Sequence, residues 1–338
     1  MRYENVAIEA VGHVLPPHVV SSDSLEAEFA ETLERIGLPR GQLEKLSGVR
    51  ERRWWDPNTM PSVVAAMAAE RALAKAGLAA ADVQALVNTS VSRDYLEPAT
   101  AAMVAGHLGL GHHAMTYDIT NACVGFLNGL LVLANQIELG QVDNGVVVCG
   151  ESIREGVQAT LRRLAAPEAT IQTFRDNFAA LTLGCGAVAF VLSRKDPSRT
   201  GHSLRGAVTR SAPEHNQLCL GQYAEMRADA HGLLVHGVGL AAETWPYAKK
   251  ELGWGPDSID KVIGHQVSMA HFSAVFERIE QPIEKALLTL PFLGNCGPAS
   301  MPLTLALAEA QGQIQPGQEL CLYGVGSGLA CIIMGVRW

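Results

Sequence analysis

Long apolar segments and an excess of basic charge are both missing from this 338-residue sequence, and each absence excludes a class of protein. No uninterrupted apolar run approaches the roughly 18 residues that a transmembrane helix needs. The N-terminus has no charged stretch followed by an apolar one, as a secretory signal would. We therefore expect a cytoplasmic protein without an integral membrane segment. The net charge of −8 argues against nucleic acid as a partner.

Paired cysteines are also missing. The seven cysteines are scattered without a CxxC spacing, and their odd number argues against a disulfide framework. The same scatter gives no zinc-ligand spacing, so we expect no metal site. A P-loop and a dinucleotide-binding fingerprint are absent as well, and we expect no bound cofactor.

What the sequence does have is a large apolar fraction, 48%, with only 18% charged residues. That composition can fill the core of two compact halves. Short apolar stretches alternate with longer helix-like segments, which is typical of an α/β fold. The predicted strands of the first half are 5–10, 83–89, 115–119, 145–149 and 187–192.

Two segments of the first half predict helices. Residues 61–76 are Ala-rich, with a proline near the first helical position and Gly77 at the C-cap position. Residues 123–139 are apolar on almost every face, which predicts a helix in the centre of the protein. Residues 151–180 fit this alternation poorly, and we interpret them as an insertion that contributes to a substrate channel or a subunit contact.

The second half repeats the layout of the first. A polar stretch at 193–203 predicts the boundary, so that residues 1–197 form one unit and residues 198–338 the other. The predicted second-half strands are 207–211, 261–265, 320–323 and 329–336, and the predicted helices are 240–252 and 298–311.

Cys123 begins the second predicted helix, directly after a predicted strand. Free backbone N–H groups and the helix dipole favour an anion at such a position, which would lower the pKa of the thiol and favour a nucleophile. Taken alone, a buried cysteine is more often a small apolar residue of the core. The motifs elsewhere in the chain decide between these interpretations.

Five motifs in order resemble those of the ketoacyl synthase III branch of the thiolase superfamily. They are Ser47-Gly48-Val49-Arg50-Glu51-Arg52-Arg53, Asn121-Ala122-Cys123-Val124-Gly125-Phe126, Gly264-His265-Gln266, Gly294-Asn295 and the Gly-rich loop 324–329. The resemblance covers nearly the whole chain. It implies a duplicated five-layer α-β-α-β-α fold, a homodimer, and a catalytic set of Cys123, His265 and Asn295.

In this family the cysteine accepts an acyl group from a thioester. The resemblance implies that His265 and Asn295 donate hydrogen bonds to the thioester oxygen of the second substrate. It also implies an oxyanion hole made by the backbone N–H groups of Cys123 and Ser327. Because the donor at 327 is main chain, a serine in place of the more usual glycine is chemically acceptable.

Glu97 departs from the family pattern. It lies in a loop that in these enzymes reaches across the dimer into the partner's acyl pocket, where a carboxylate could act as a general base. The alternative is a solvated loop glutamate. With a general base at Glu97, the chain resembles the bacterial enzymes that join two long-chain fatty acyl-CoA molecules without decarboxylation in olefin biosynthesis. The resemblance then implies downstream olefin-pathway enzymes as partners.

Two other functions stay open at this point. One is a decarboxylating ketoacyl synthase III that uses a malonyl thioester, and the other is a non-catalytic chain-length or assembly partner. Arg50 and Arg52 beside Trp54 could bind the phosphates and adenine of coenzyme A, although structural ion pairing accounts for them equally well.

Overall fold

A computed structural model describes residues 1–195 and 201–338. The predicted boundary between residues 197 and 198 lies outside them. The strands are β1 (Val6–Val14), β2 (His18–Ser21), β3 (Glu51–Trp54), β4 (Ala85–Asn88), β5 (Met115–Asp118), β6 (Asn144–Glu151), β7 (Gly186–Arg194), β8 (His202–Ser211), β9 (Cys219–Gln222), β10 (Glu225–Ala228), β11 (Lys261–Gly264), β12 (Glu319–Gly326) and β13 (Ala330–Arg337). The α-helices are α1 (Ser22–Ala27), α2 (Ala30–Arg35), α3 (Gln42–Ser47), α4 (Pro61–Ala76), α5 (Thr100–Leu108), α6 (Gly125–Glu138), α7 (Arg154–Ala165), α8 (Ile171–Leu181), α9 (Ala230–Leu252), α10 (Met269–Arg278), α11 (Leu290–Leu293) and α12 (Ser300–Ala310).

Within the described residues, one continuous sheet runs in the order β11-β12-β13-β8-β1-β7-β6-β4-β5. Its two halves have the same plan. The pair β4 and β6 is parallel and is followed by antiparallel β7 and β1, just as parallel β11 and β12 are followed by antiparallel β13 and β8. The halves join where Ala7 pairs with Ser203 and Ile8 with His202. The predicted duplication is therefore confirmed in the strand order.

Helices enclose and separate the two halves of the sheet, giving the thiolase-like layering. The central core contains side chains of α6 and α12 together with strand residues from both halves. A second core packs α4 against the outer face of the first half, and a third packs α9 and α10 against the second. The small residues of α4 allow a close approach, since a Cβ on Gly12 of β1 would lie 2.5 Å from the Ala68 carbonyl oxygen and from the Ala72 nitrogen.

The central position of α6 confirms the interpretation of its apolar sequence, but its start differs from the prediction. It begins at Gly125, two residues after Cys123. The insertion 151–180 lies between β6 and β7 and holds α7 and most of α8, whose apolar side chains Leu161 and Phe174 join the core of the first half. None of the helices within the described residues combines the length and apolarity needed to cross a membrane.

Candidate active site

Cys123 lies in a tight turn between β5 and α6. Ala122 has a φ of 44°, a conformation that residues with a side chain rarely adopt. The N–H groups of Val124 and Gly125 donate to the carbonyls of Asn121 and Ala122 at 3.1 and 3.0 Å, which closes the turn. The turn holds Cys123 half-buried at the entrance to α6 rather than inside it.

The expected lowering of the Cys123 pKa is not what this position produces. Burial raises the pKa of the thiol to about 12, and the nearby Cys219 and Glu151 act in the same direction. The helix dipole falls off quickly with distance, and the helix starts two residues later than predicted. In the resting protein Cys123 is therefore a neutral thiol.

The end of β12 lies against the Cys123 turn. A Cβ on Gly326 would come within 3.2 Å of the Cys123 nitrogen and 3.1 Å of the Val124 nitrogen, so only glycine permits this approach without displacement. The half-buried Ser327 follows directly. The main chain of the 324–329 loop thus runs beside the Cys123 N–H, where the two donors of an oxyanion hole are expected.

His265 follows β11 and is only 3% exposed. Its backbone N–H donates to the Tyr323 carbonyl at 3.0 Å, which fixes it to β12. Within the described part of the chain, neither ring nitrogen has a hydrogen-bond partner. Burial lowers the pKa of the imidazole to about 3, His271 adds to this, and the Gly297 carbonyl opposes it. His265 is therefore neutral, with one ring nitrogen able to donate and the other able to accept a proton.

Asn295 is buried, and its side chain has a fixed orientation. Its Oδ1 accepts a hydrogen bond from the Gly297 N–H at 2.9 Å, which leaves the Nδ2 group as a donor. Its backbone N–H and C=O pair with Thr182 and Gly184 of the first half. Gly297 thus contacts both His265 and Asn295, and the adjacent Pro298 lies 3.7 Å from an ideal Cβ on Gly125, at the start of α6. His265 and Asn295 thus lie beside Gly297, and the residue after it, Pro298, lies against the start of α6, which follows the Cys123 turn.

Two residues of this region, Gln266 and Glu151, have no role predicted from the sequence. Gln266, next to His265, accepts from the N–H groups of Thr289 and Leu290 at 3.0 and 2.9 Å and so ties His265 to the helix that leads to Asn295. Glu151 is a buried carboxylate whose electrostatic field reaches Cys123. The local signal is a polar residue at the last position of an apolar strand for Glu151 and just beyond one for Gln266.

Glu97 is not part of the site within its own chain. It lies exposed in the connection between β4 and α5, beside Leu96, which is 93% exposed. The same connection also exposes Val91 and Tyr95, at 52% and 51%, and a group of exposed apolar side chains is typical of a surface that another molecule covers.

The predicted contact of Arg52 and Trp54 with coenzyme A is corrected by their burial. Arg52 is 0% exposed, and its guanidinium donates to the Val20 carbonyl, to Ser22 Oγ and to the Leu181 carbonyl at 3.0 to 3.2 Å. Trp54 is also buried. Both are structural, because alternate residues of β3 face the core. Arg50 is exposed, and its backbone N–H donates to the carbonyl of Pro291, four residues before Asn295.

Comparison with known proteins gives full-length matches. The family model of the thiolase N-terminal domain matches residues 56–182, and that of the 3-oxoacyl-[acyl-carrier-protein] synthase III C-terminal domain matches residues 250–338. Relatives named acyl-CoA:acyl-CoA alkyltransferase, from Xanthomonas campestris and Shewanella oneidensis, are 38% and 41% identical, each over 100% of both chains.

A solved structure of X. campestris OleA, a cysteine-to-serine variant with bound lauric acid and lauroyl-CoA, has a TM-score of 0.97 at 38% identity. It covers 99% of this chain and 100% of that one. Other structures of that protein carry substitutions at a glutamate, a cysteine or a histidine. These three residues are separated by 26 and 142 positions, as are Glu97, Cys123 and His265 in this chain.

Proposed function

Because the chain belongs to the thiolase superfamily, in the family of the acyl-CoA:acyl-CoA alkyltransferases, we propose that it condenses two long-chain acyl-CoA molecules without decarboxylation. The observation that carries this proposal is the full-length similarity at 38% and 41% identity, together with the shared spacing of Glu97, Cys123 and His265. The catalytic roles below are part of the same proposal.

The first step loads an acyl group on Cys123. The neutral His265 accepts the thiol proton as the sulfur attacks the thioester carbonyl of the first acyl-CoA. The backbone N–H groups of Cys123 and Ser327 stabilise the oxyanion, and the bond to the coenzyme A sulfur breaks. The proton on His265 then passes to the departing coenzyme A thiolate, which restores the neutral imidazole for the second step.

In the second step a new acyl-CoA becomes the nucleophile. His265 and the Nδ2 group of Asn295 donate to its thioester oxygen and stabilise an enolate there. The α-proton goes to Glu97 of the partner subunit, which acts as the general base. The enolate carbon attacks the acyl-Cys123 carbonyl, and collapse of the oxyanion breaks the carbon–sulfur bond. The Cys123 thiolate regains a proton as Glu97 gives up the one it took, so both groups return to their starting states. The exposure of Glu97 and Leu96 in the single chain supports a homodimer in which this loop is covered.

The condensation product is a 2-alkyl-3-ketoacyl-CoA, and hydrolysis of its thioester gives a 2-alkyl-3-ketoalkanoic acid. Further olefin-pathway enzymes would then consume the product. Coenzyme A thioesters serve only as substrates, and no other cofactor enters the scheme. Arg50 remains the candidate contact for coenzyme A, and a cytoplasmic location remains a prediction.

Mass spectrometry of products from myristoyl-CoA as the sole substrate tests this function. We expect the coupled β-keto acid, or the ketone left after it loses carbon dioxide, without any malonyl thioester. Glu97→Ala should still form acyl-Cys123 but give no coupled product. Coupling that requires malonyl-CoA or malonyl carrier protein would instead identify a decarboxylating ketoacyl synthase III.

A further inference from the structure

The loop that carries Glu97, residues 91–98, is here named the arm. Its base is bound to Glu151, the last residue of β6, which is only 5% exposed. The carboxylate accepts from the Val91 N–H at 2.7 Å, the Ser92 N–H at 3.2 Å and the Ser92 hydroxyl at 2.6 Å. Hydrogen bonds to a buried carboxylate are among the stronger ones in proteins. The start of the arm is therefore held in one conformation.

Two further carboxylates fix the rest of the arm. Asp94 accepts from the Ser62 N–H at 2.9 Å and from the Ser62 hydroxyl, at the start of α4. Just after the arm, Asp118 accepts from the Thr100 and Ala101 N–H groups at 2.9 and 2.8 Å. Between these anchors the tip, from Tyr95 to Pro98, stands exposed. The arm is a rigid support for a tip that makes its contacts elsewhere.

Glu151 also lies near the chemistry of its own chain. An ideal Cβ on Gly297 would be 4.0 Å from the Glu151 carboxyl carbon, and the Glu151 charge acts on Cys123. Its hydrogen bonds nevertheless go to the arm. Within the described ranges, the only other hydrogen bond to the carboxylate is a long one, 3.6 Å, from Cys149 Sγ. Glu151 could act either in the Cys123 pocket or on the arm. Its hydrogen bonds to Val91 and Ser92 favour a role on the arm.

We propose that Glu151 is a positioning residue that acts through the arm, placing Glu97 for proton removal in the partner subunit's site. This inference rests on the proposed function, in which Glu97 serves the partner. Removing one of the two Glu151 acceptor oxygens that bind Val91 and Ser92 should loosen the arm and impair condensation in the neighbouring site. It should not impair the loading of the acyl group on Cys123 of the same chain.

Glu151→Gln tests this with little change in volume. The amide keeps one acceptor oxygen for the Val91 N–H, but its NH2 group would face the Ser92 N–H, so that bond is lost. Misplacing a catalytic group by about 1 Å can cost on the order of 100-fold in rate. We expect myristoyl-CoA coupling to fall about 10- to 100-fold, with the rate of acyl-Cys123 formation within about twofold of the wild type.

Hybrid dimers, prepared with two affinity tags, show in which site Glu151 acts. When Glu151→Gln is paired with Cys123→Ala, the only reactive cysteine receives Glu97 from a subunit with an intact Glu151. Coupling per reactive cysteine should then return to the wild-type rate. In the reciprocal hybrid, Cys123→Ala/Glu151→Gln paired with the wild type, coupling should remain low. If the first hybrid stays as slow as the Glu151→Gln homodimer, Glu151 acts in its own pocket and the proposal is wrong.

Two further variants distinguish a specific effect of Glu151 from a general loss of folding. Ser92→Ala removes one bond to Glu151 and leaves the backbone bonds, so it should reduce coupling in the same trans pattern but less strongly. Glu319→Gln is the matched control, since Glu319 is also a buried carboxylate but begins β12, at the end of the strand away from the active site. It should leave coupling unchanged. A decrease in Glu319→Gln equal to that in Glu151→Gln would contradict a specific role.

The wild type and Glu97→Ala separate failure of this inference from failure of the proposed function. If the wild-type protein does not couple myristoyl-CoA, the proposed function is wrong. If it couples but the hybrid of Glu97→Ala with Cys123→Ala is inactive, the action of Glu97 across the dimer is wrong. When both controls behave as expected, the Glu151 hybrids test the positioning role alone.

Discussion

Cys123 and His265 illustrate how burial sets the chemistry of single residues. Burial raises the pKa of the thiol to about 12 and lowers that of the imidazole to about 3. Both groups are therefore neutral across the physiological range. In the proposed mechanism, acyl loading begins when the Cys123 proton moves to His265, so the cysteine needs no permanently lowered pKa.

This pairing predicts the pH dependence of acyl loading. Between about pH 5 and pH 9 neither group changes its protonation state, because the thiol would lose its proton only near 12 and the imidazole gain one only near 3. The rate of acyl-Cys123 formation should be level over this range. Intact-protein mass spectrometry of Glu97→Ala, in which acyl-enzyme accumulates, measures it. A sigmoidal rise centred near pH 7 would show a preformed thiolate and contradict the account.

Arg50 and Arg52 belong to one motif and have different surroundings. The Arg52 guanidinium spans three acceptors in the core, which the ammonium of a lysine cannot do. Arg52→Lys should lower the free energy of unfolding by about 2 kcal/mol and leave the KM for acyl-CoA unchanged. Arg50→Ala should raise KM severalfold without changing stability. Thermal unfolding and steady-state kinetics of the two variants check this. The reverse pattern would contradict a structural role for Arg52 and a coenzyme A contact for Arg50.

Secondary structure elements position the site through close backbone approaches, most clearly at the end of β12. Gly326→Ala would place a Cβ 3.2 Å from the Cys123 nitrogen, so the loop must shift by a few tenths of an ångström. In the proposed mechanism, such a shift moves the Ser327 N–H away from the oxyanion. Loss of one oxyanion-hole donor costs about 100- to 1000-fold in kcat.

We expect Gly326→Ala to slow acyl loading and coupling together by about tenfold, a part of that full loss. Single-turnover rates of both steps measure the effect. Gly328→Ala is a fitting comparison, because the nearest neighbour of its added Cβ is 4.0 Å away, although its φ of 134° adds some strain. Unchanged loading in Gly326→Ala would mean that the loop does not form the oxyanion hole.

How well each element could be predicted depended on its local signals. The bounds of α4 agree with the prediction because Pro61 starts it and Gly77 ends it. The predicted start of α6 lies two residues before the observed one, because no capping side chain in the Cys123 turn indicates where the helix begins. The prediction for α9 began at Leu240, but the helix begins at Ala230, where the Asp229 side chain caps the Gly232 N–H. Glycines in residues 230–239 weaken the helical pattern there, so the sequence does not predict the first part of the helix.

At the scale of the whole molecule, the repeat of strands and helices made the duplicated fold predictable. The ordered motifs likewise predict that Cys123, His265 and Asn295 form one set. The buried roles of Arg52 and Glu151 could not be predicted, because they depend on contacts with residues far away along the chain. Arg52 is hydrogen-bonded to Leu181 and Glu151 to Val91, and the residues next to them in the sequence give no sign of either contact.

The duplication also explains why the site is shared between the halves. Cys123 comes from the first half, His265 and Asn295 come from the second, and the closing strand β12 reaches back to the Cys123 turn. Pairing of Asn295 with Thr182 and Gly184 ties the second half to the first at this point. Each chain therefore contains one candidate active site, and the partner's arm is proposed to complete it.

The central claim is that an acyl group on Cys123 becomes the ketone of a product made from a second acyl-CoA. Wild-type enzyme is loaded with myristoyl-CoA labelled with carbon-13 at the thioester carbonyl, separated from free coenzyme A, and mixed with unlabelled lauroyl-CoA. We predict that the label leaves Cys123 and appears at the ketone carbon of a mixed-chain product, identified by mass spectrometry. If the label instead remains on Cys123, or is released only as myristic acid, the account is contradicted.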